Sequence, residues 1–204
     1  MAGRERDLER LLTFIDAVVA IAITLLVLPL AEAGSEIHGR TVPELLREHV
    51  DDLLGFFLSF TVIARLWLAQ HAILGCLTRQ NGAVIRLLFC WSLTIVFLPF
   101  PTTLVTATSN DGAAKLLYIG TMAVSSALLA LLARVISRDR TLRDTEDGPD
   151  TAIASAVTVT FLLALVIGVV FPATSYWPLL LLVLTDPVVH RLRRTRVARS
   201  RNGS

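Results

Sequence analysis

The sequence predicts an all-α membrane protein, a single domain over residues 1–204 that crosses the bilayer six times. Hydrophobic residues make up 54% of the 204 residues, charged residues only 18%, and the mean hydropathy is +0.66. A soluble domain cannot bury that much apolar surface, so lipid must be the solvent for part of the chain. The apolar residues form long continuous runs rather than alternating ones, which favours helices over strands.

The apolar runs have the length that a membrane span requires. The first covers residues 11–30, and twenty helical residues rise about 30 Å, the thickness of the hydrocarbon core. The predicted spans are residues 11–30, 53–74, 83–103, 113–136, 151–171 and 177–190, of which the last is the shortest. Pro99 and Pro101 are expected to end the third helix near the outer surface. Pro43 is expected to open a short helix in the loop after the first span.

Arginine content alternates between successive loops. The arginine-rich set consists of Arg4, Arg6, Arg10, Arg79, Arg86, Arg134, Arg138, Arg140, Arg143 and the tail from Arg191 to Arg201. The other set holds only Arg40, Arg47 and Lys115. The positive-inside rule therefore predicts a multi-pass protein of the cell membrane with both termini in the cytoplasm, and an even number of spans requires the same.

The basic tail permits two interpretations, a nucleic-acid patch or a cytoplasmic stop signal beside anionic lipid. Its position directly after the last apolar run favours contact with membrane lipid. No nucleic-acid partner is therefore expected.

The first apolar run contains one ionisable residue, Asp16. A charged group at that depth costs several kcal/mol unless it finds a partner or water. One interpretation is a structural pin that holds the first helix against the others, and the alternative is direct contact with a permeating ion. The pin is favoured because Asp16 is close enough to the membrane surface to reach polar groups on neighbouring helices.

Three further residues in the apolar runs need an explanation. Arg65 lies near the middle of the second span, where one arginine without a ladder favours a structural partner over a voltage sensor. His71 has no second ligand three or four residues away, which favours a packing role over metal binding. Trp91 is expected to be an interfacial anchor.

Motifs of catalysis are missing from the sequence, which contains no nucleophile–base pair and no phosphate-binding loop, so an enzyme is not expected. A secondary transporter would show inverted repeats and helices broken by glycine or proline at mid-membrane. Neither pattern is evident, although a transporter and a membrane assembly protein remain the alternatives to a channel.

The stretch RLLTFIDAVVAIAITLLVL carries a family resemblance. It resembles the RxxxFSD-xxx-AI-xxTLL signature of the TMEM175 family of lysosomal and bacterial potassium channels. The residues that match are Arg10, Phe14, Asp16, Ala20, Ile21, Thr24, Leu25 and Leu28. Ile15 stands where the family has serine, which removes one hydrogen bond of the family's network. SFTVIARLWLAQH resembles the second helix of the family through Trp67 and His71, and VFLPFPTTLV resembles the end of the third.

The resemblance implies a homotetramer of six-helix subunits in which four copies of the first helix line a central pore. It implies a hydrophobic constriction at Ile21, further pore layers at Leu25 and Leu28, and a contribution of the Thr24 hydroxyl to ion selection. The packing network behind the pore would consist of Arg10, Phe14, Asp16, Trp67 and His71.

A hydrophobic constriction of this kind is physically reasonable. The sequence has no TVGYG-like segment, so a filter built from backbone carbonyls is not indicated. Rings of isoleucine and leucine offer an ion no ligands, so an ion must shed part of its water to pass. Potassium is less tightly hydrated than sodium, which predicts modest selectivity for potassium. No cofactor is expected besides the permeant K⁺.

Overall fold

The computed structural model describes residues 2–35, 39, 41–75, 77–108 and 111–142, and every regular element among them is helical. In chain order the helices are α1 (Ala2–Leu25), α2 (Leu28–Ser35), α3 (Val42–Glu48), α4 (Val50–Leu74), α5 (Gly82–Phe97), α6 (Pro99–Ala107) and α7 (Gly112–Arg138). A short 3₁₀ turn follows at Arg140–Leu142. The predicted fifth and sixth spans, residues 151–171 and 177–190, and the basic tail lie outside the described residues.

Four of the predicted spans are confirmed as helices long and apolar enough to cross a membrane. They are Arg6–Ser35, Val50–Leu74, Gly82–Ala107 and Gly112–Arg138. Each is longer than the apolar run that predicts it; Val50–Leu74 is extended only at its start, and the other three are extended at both ends. The first and the third are each built from two consecutive helices.

The first span is interrupted at Leu26 and Val27. The backbone amides of both residues donate to carbonyls three residues back, each over 3.3 Å, instead of four residues back. Pro29 explains the interruption, because it has no N–H to give to the carbonyl of Leu25. The span therefore continues as α2 after a tightened turn.

The third span corrects the expectation that Pro99 and Pro101 end its helix. α5 ends at Phe97, and α6 begins at Pro99 and runs on to Ala107. Proline is tolerated in the first turn of a helix, where no N–H partner is needed. The two prolines therefore restart the helix after a turn at Leu98 and do not terminate the span.

The core lies between α1, α4, α5 and α7. Its largest fully buried side chains include Ile15, Ile63, Leu66, Leu88, Trp91, Ile95, Met122, Leu132 and Ile136. The expectation that Trp91 anchors the chain at the interface is wrong, because only 1% of its surface is exposed. Its indole instead fills the interior of the helix bundle, where a large ring buries more apolar surface than at the interface.

Buried hydroxyl groups join α4, α6 and α7. The Ser59 hydroxyl lies 2.9 Å from the Thr102 hydroxyl and 2.8 Å from the Tyr118 hydroxyl. Thr102 also donates to the carbonyl of Leu98 over 2.8 Å. Buried polar groups in a membrane protein must find such partners inside the protein, since lipid offers none.

Loops at the two ends of the spans are held by local hydrogen bonds. Thr41 and Glu44 form a capping box at the start of α3, with Pro43 in its first turn, as the sequence predicts. At the opposite end, the backbone amide of Thr78 donates to the carbonyl of Leu142 over 2.9 Å. The hydroxyl of Thr141 and, with a smaller effect, its backbone amide donate hydrogen bonds to the Asp139 carboxylate, and both lower the pKa of that group.

Candidate functional site

Helix α1 has two faces with different surroundings. One face is packed into the core through Ile15, Val19 and Ala22, at positions three to four residues apart. The opposite face is largely exposed and apolar over most of its length, although its Phe14 contacts Phe89 of α5. Such a face needs either lipid or another subunit against it.

The residues expected at the pore lie on this exposed face. Ile21 is 60% exposed, Leu25 44% and Leu28 53%. Ile21 and Leu25 belong to α1, whereas Leu28 follows the interrupted turn and begins α2. The turn at Leu26 and Val27 therefore separates the last of the three from the first two.

Thr24 is also exposed, beside Leu25. Its hydroxyl donates to the carbonyl of Ile21 over 2.7 Å. The hydroxyl proton is therefore used within the helix, and the lone pairs of the oxygen remain directed outward. A cation can use such lone pairs, whereas an anion would need the proton.

Asp16 contacts α4. Its Oδ1 accepts a hydrogen bond from the indole N–H of Trp67 over 2.9 Å. Its Oδ2 lies 3.7 Å from Nε2 of His71. The carboxylate is thus held by two side chains of another span, and neither contact reaches across the exposed face of α1.

His71 completes this arrangement through contacts with Trp67. The two rings are 4.3 Å apart between centroids, and Nδ1 of His71 lies 3.3 Å from the carbonyl oxygen of Trp67. Both ring nitrogens of His71 therefore face oxygen atoms, one of Trp67 and one of Asp16. The distance from Nδ1 to the Trp67 carbonyl allows a hydrogen bond, whereas the 3.7 Å from Nε2 to the Asp16 carboxylate is too long for one.

Arg10 and Phe14 occupy other surroundings. Arg10 is exposed and makes no hydrogen bond or ion pair with the described residues. Phe14 is exposed on α1 and packs against Phe89 of α5, with ring centroids 5.8 Å apart. The structure therefore brings together Asp16, Trp67 and His71 but does not place Arg10 or Phe14 against them.

Ile15 has no exposed surface and packs in the core. The position that carries serine in the family signature is thus filled by hydrocarbon in this chain. Arg65 is half-buried in α4 and is engaged in an interaction. Neither residue lies on the exposed face that carries Ile21.

Sequence reasoning missed two features near this site. One is the hydroxyl cluster of Ser59, Thr102 and Tyr118, because single hydroxyls in apolar runs are common and carry no spacing signal. The other is Phe89, whose partner on α1 is 75 residues earlier. Contacts between distant spans leave no periodic pattern in one sequence.

Chemically, the site combines two parts. One is an exposed apolar stripe formed by Ile21, Leu25 and Leu28, and the other is a polar brace formed by Asp16 with two residues of α4. The stripe offers no oxygen ligands except Thr24, and the described residues include no group of three or more His, Cys, Asp or Glu that could hold a metal ion. The brace of Asp16, Trp67 and His71 joins α1 to α4 through one hydrogen bond and one charged contact of 3.7 Å.

Comparison with known proteins supports the resemblance drawn from the sequence. The family described as "Endosomal/lysosomal potassium channel TMEM175" matches residues 10–99. The chain is also similar to the crystal structure of a lysosomal potassium-selective channel TMEM175 homolog from Chamaesiphon minutus. The identity is 21%, the TM-score is 0.64, and the match covers 92% of this chain and 98% of the other. No curated protein sequence gives a significant match.

These findings confirm the predicted resemblance to the TMEM175 family and the all-helical, multi-pass membrane fold. The segment matched by the family includes α1 from Arg10 onward, all of α4 and all of α5. It therefore contains both the exposed stripe and the brace behind it. The matched family is one of ion channels and not of enzymes, in agreement with the prediction that the chain is not an enzyme.

Proposed function

We propose that this chain is a potassium-permeable ion channel of the cell membrane, formed by a homotetramer of six-span subunits. In this proposal four copies of α1 surround a central pore. The observation that carries it is the exposed apolar stripe of α1, which lies within the segment matched by the potassium-channel family.

The surroundings of the first span support a position at an interface between subunits. It is the most apolar of the four described spans. The mean hydropathy over an 18-residue stretch of it is 2.7, yet only 22% of that stretch is buried. An apolar helix that buries so little of its surface within its own subunit must meet lipid or further helices. Four copies around an axis would provide those further helices.

The narrowest part of the pore is assigned to Ile21, with further layers at Leu25 and Leu28. Isoleucine and leucine side chains give an ion no ligand, so the barrier combines steric closure with the cost of removing water from a charge. Sodium holds its water more tightly than potassium and pays more at such a barrier. The selectivity of this filter for potassium should therefore be modest.

Thr24 is assigned a part in ion selection. Because its proton is donated within the helix, the hydroxyl oxygen can face a cation as an acceptor. This is one polar ligand per subunit beside the apolar rings. It can compensate part of the lost hydration without forming a full coordination shell.

The brace of Asp16, Trp67 and His71 is assigned to positioning, and Phe14 adds a separate contact of α1 with Phe89 of α5. Asp16 is a pin in this proposal and not an ion ligand, because both of its contacts are directed to α4. Loss of the pin would allow α1 to rotate and would misplace Ile21.

In this proposal six spans put both termini on the same side of the membrane, and the arginine-rich loops assign that side to the cytoplasm. The test is labelling of single cysteines in a cysteine-free background by a reagent that does not cross membranes. A cysteine at Ser35, after the first span, should be labelled from outside intact cells, and one at Arg6, before it, should not. The reverse pattern would invert the orientation and contradict the assignment.

The function itself is tested with the purified protein in liposomes. The mass of the particle should correspond to four chains, and liposomes that contain it should release potassium faster than sodium under equal gradients. Protein-free liposomes provide the control. A monomeric particle, or liposomes with no potassium flux above the control, would contradict the proposal and favour a transporter or an assembly protein.

A further inference from the structure

Two residues of opposite charge lie at the two ends of the exposed face of the first span. Arg10 precedes Ile21 by eleven residues, and Glu32 follows Ile21 by eleven. Eleven helical residues make about three turns, so residues at this spacing share one helix face. The apolar stripe of Ile21, Leu25 and Leu28 therefore lies between a basic residue and an acidic one.

The exposed face continues through the turn at Leu26 and Val27. Ala33 is buried two helical turns after the buried Leu26, so the same side of the helix faces the core before and after the turn. Glu32 lies on the exposed side, four residues after Leu28. The earlier buried positions, spaced three or four residues apart, are Ile15, Val19 and Ala22.

Neither charge is neutralised by neighbouring side chains. Arg10 and Glu32 are exposed, and neither side chain forms a hydrogen bond or ion pair with the described residues. The hydroxyl of Ser35 donates to the backbone carbonyl of Glu32 over 2.6 Å and does not engage its carboxylate. Both charges therefore act on whatever ions approach the ends of this face.

The other charges near this face do not reverse the two signs. Arg6 lies one turn before Arg10 and is also exposed, and the exposed Asp7 lies between them. Two positive charges and one negative charge leave the start of the face with a net charge of +1 per subunit. Asp16 is directed to α4 instead. Glu32 is the only charged residue of α2.

We propose that Glu32 and Arg10 make the pore rectify, so that potassium enters the cell more readily than it leaves. The inference rests on the proposed tetramer, in which each residue is repeated four times around the axis. With the arginine-rich ends in the cytoplasm, four Glu32 carboxylates surround the outer mouth and four Arg10 guanidinium groups surround the inner one. A ring of acidic side chains concentrates cations, whereas a basic ring repels them. Glu32 acts through its field and not as an ion ligand.

The two rings act independently of each other. They are separated by about 33 Å of helical rise, which is about three Debye lengths at 0.1 M salt. The field of each ring is therefore confined to its own mouth. At a large voltage, entry into the pore becomes the slow step, and the current follows the ion concentration at the mouth of entry.

Coulomb's law with salt screening gives the size of the effect. A cation about 10 Å from each of four unit charges in water is enriched or depleted about threefold at 0.1 M salt. At 1 M salt the same arrangement changes its concentration only about 1.1-fold. Inward potassium current should therefore exceed outward current at 0.1 M, and the difference should disappear at 1 M.

The test records potassium currents in excised patches of known orientation from cells that express the full chain. Potassium chloride is equal on both sides, and voltages of equal size and opposite sign are compared. The inward current of the wild type should be larger by about threefold or more at 0.1 M. Glu32→Gln should reduce the inward current about threefold, whereas Arg10→Gln should raise the outward current by a similar factor. A purely structural role of either residue would change both directions alike.

The matched controls carry the same charges on other elements. Asp51→Asn removes an exposed acid at the start of α4, on the outer side, and Arg140→Gln removes an exposed base after α7, on the cytoplasmic side. Both variants should keep the wild-type ratio of inward to outward current. Equal effects of Asp51→Asn and Glu32→Gln would show a diffuse surface charge and overturn the inference.

The wild type alone also decides the outcome if Glu32→Gln does not assemble, because the salt comparison needs no variant. A potassium current of equal size in both directions at 0.1 M would overturn the rectification and leave the proposed channel intact. A difference that persists at 1 M would overturn the assignment to these charges. The absence of any potassium current would contradict the proposed function, and the inference with it.

Discussion

The first and fourth spans are both strongly apolar, but the structure surrounds them differently. The first has the higher mean hydropathy, 2.7 against 2.0 over an 18-residue stretch of each. Only 22% of that stretch is buried in the first span, compared with 56% in α7. α7 finds its partners among the helices of its own subunit, whereas α1 leaves most of one face exposed. Hydropathy therefore shows that a helix enters the membrane but not what it meets there.

The polar residues of the two regions differ in the same way. α7 contributes Tyr118 to a buried cluster in which the hydroxyls of Tyr118 and Thr102 both bond the hydroxyl of Ser59. α1 contributes Asp16 to a brace in which Asp16 and His71 are still 40% and 45% exposed. In our account, the first set stabilises the fold of one subunit, and the second orients a helix that the other subunits complete. The predictions below separate these two roles.

The largest effect is expected for Asp16→Ala. The change leaves the indole N–H of Trp67 without its acceptor and His71 without its charged neighbour, which costs about 1 to 3 kcal/mol. The yield of tetramer in size-exclusion chromatography should fall more than the potassium preference of the tetramers that do form. Asp7→Ala, an exposed position on the same helix, is the control and should assemble normally.

Trp67→Phe sharpens this test because it keeps an aromatic ring beside His71 and removes only the N–H donor. Its assembly defect should be smaller than that of Asp16→Ala. A well-assembled Asp16→Ala tetramer with altered ion preference would contradict the assignment of Asp16 as a pin. It would place the carboxylate on the ion pathway instead.

The next prediction compares the effect on stability of replacing two glycines within membrane spans. A Cβ on Gly55 of α4 would collide with the methyl group of Thr106, whereas one on Gly120 of α7 would meet nothing within 4 Å. Gly55→Ala should lower stability by about 1 to 3 kcal/mol, because α4 and α6 cannot both keep their positions. Gly120→Ala should be neutral or stabilising by about 0.5 to 1 kcal/mol.

Thermal unfolding in detergent measures both glycine variants. Because Gly55 lies inside the subunit, its variant should lower the stability of the fold and leave the potassium-to-sodium ratio of the surviving channels unchanged. Equal melting temperatures for the two variants would show that the close approach of α4 and α6 is not a constraint on the fold.

The smallest effect is expected for Thr24→Val, which removes a hydroxyl at nearly constant volume. The Ile21 carbonyl loses an extra donor but keeps its helical bond, so stability should change little. The preference for potassium should decrease because one oxygen per subunit is lost, while conductance stays similar. Flux ratios in liposomes measure this, and a wider pore with unchanged preference would contradict the assignment of Thr24 to ion selection.

Much of the fold follows from the sequence. Residues 53–74 and 113–136 are continuous apolar runs, and the structure has continuous helices there because lipid leaves the backbone no other way to pair its polar groups. The prolines were harder to interpret. Pro99 and Pro101 were expected to end a helix, but proline fits the first turn of a new helix equally well, and apolar residues on both sides allow the span to continue.

Side-chain surroundings could be predicted less well than spans. The residue type of Trp91 predicts a position at the interface, yet its side chain is buried in the core. The sequence alone does not show which helices pack around it, so this burial could not be predicted. Asp16 was expected to reach polar groups on a neighbouring helix, and it contacts Trp67 and His71. Phe14 was expected near them, but its position two residues before Asp16 turns it to a different face of α1.

The central claim is that the exposed stripe of α1 lines the ion pathway, and Ile21→Asn tests it most directly. The amide can hydrate or coordinate an ion and removes the apolar ring, so potassium flux should rise and the preference over sodium should fall. Leu93→Asn on α5 is the matched control, because Leu93 is at least as exposed as Ile21 but lies outside the proposed pore, and its fluxes should equal those of the wild type. Both variants should be compared in proteoliposomes at equal protein density. If Ile21→Asn assembles normally and leaves potassium flux and selectivity unchanged, α1 does not form the pore, and the channel assignment is contradicted.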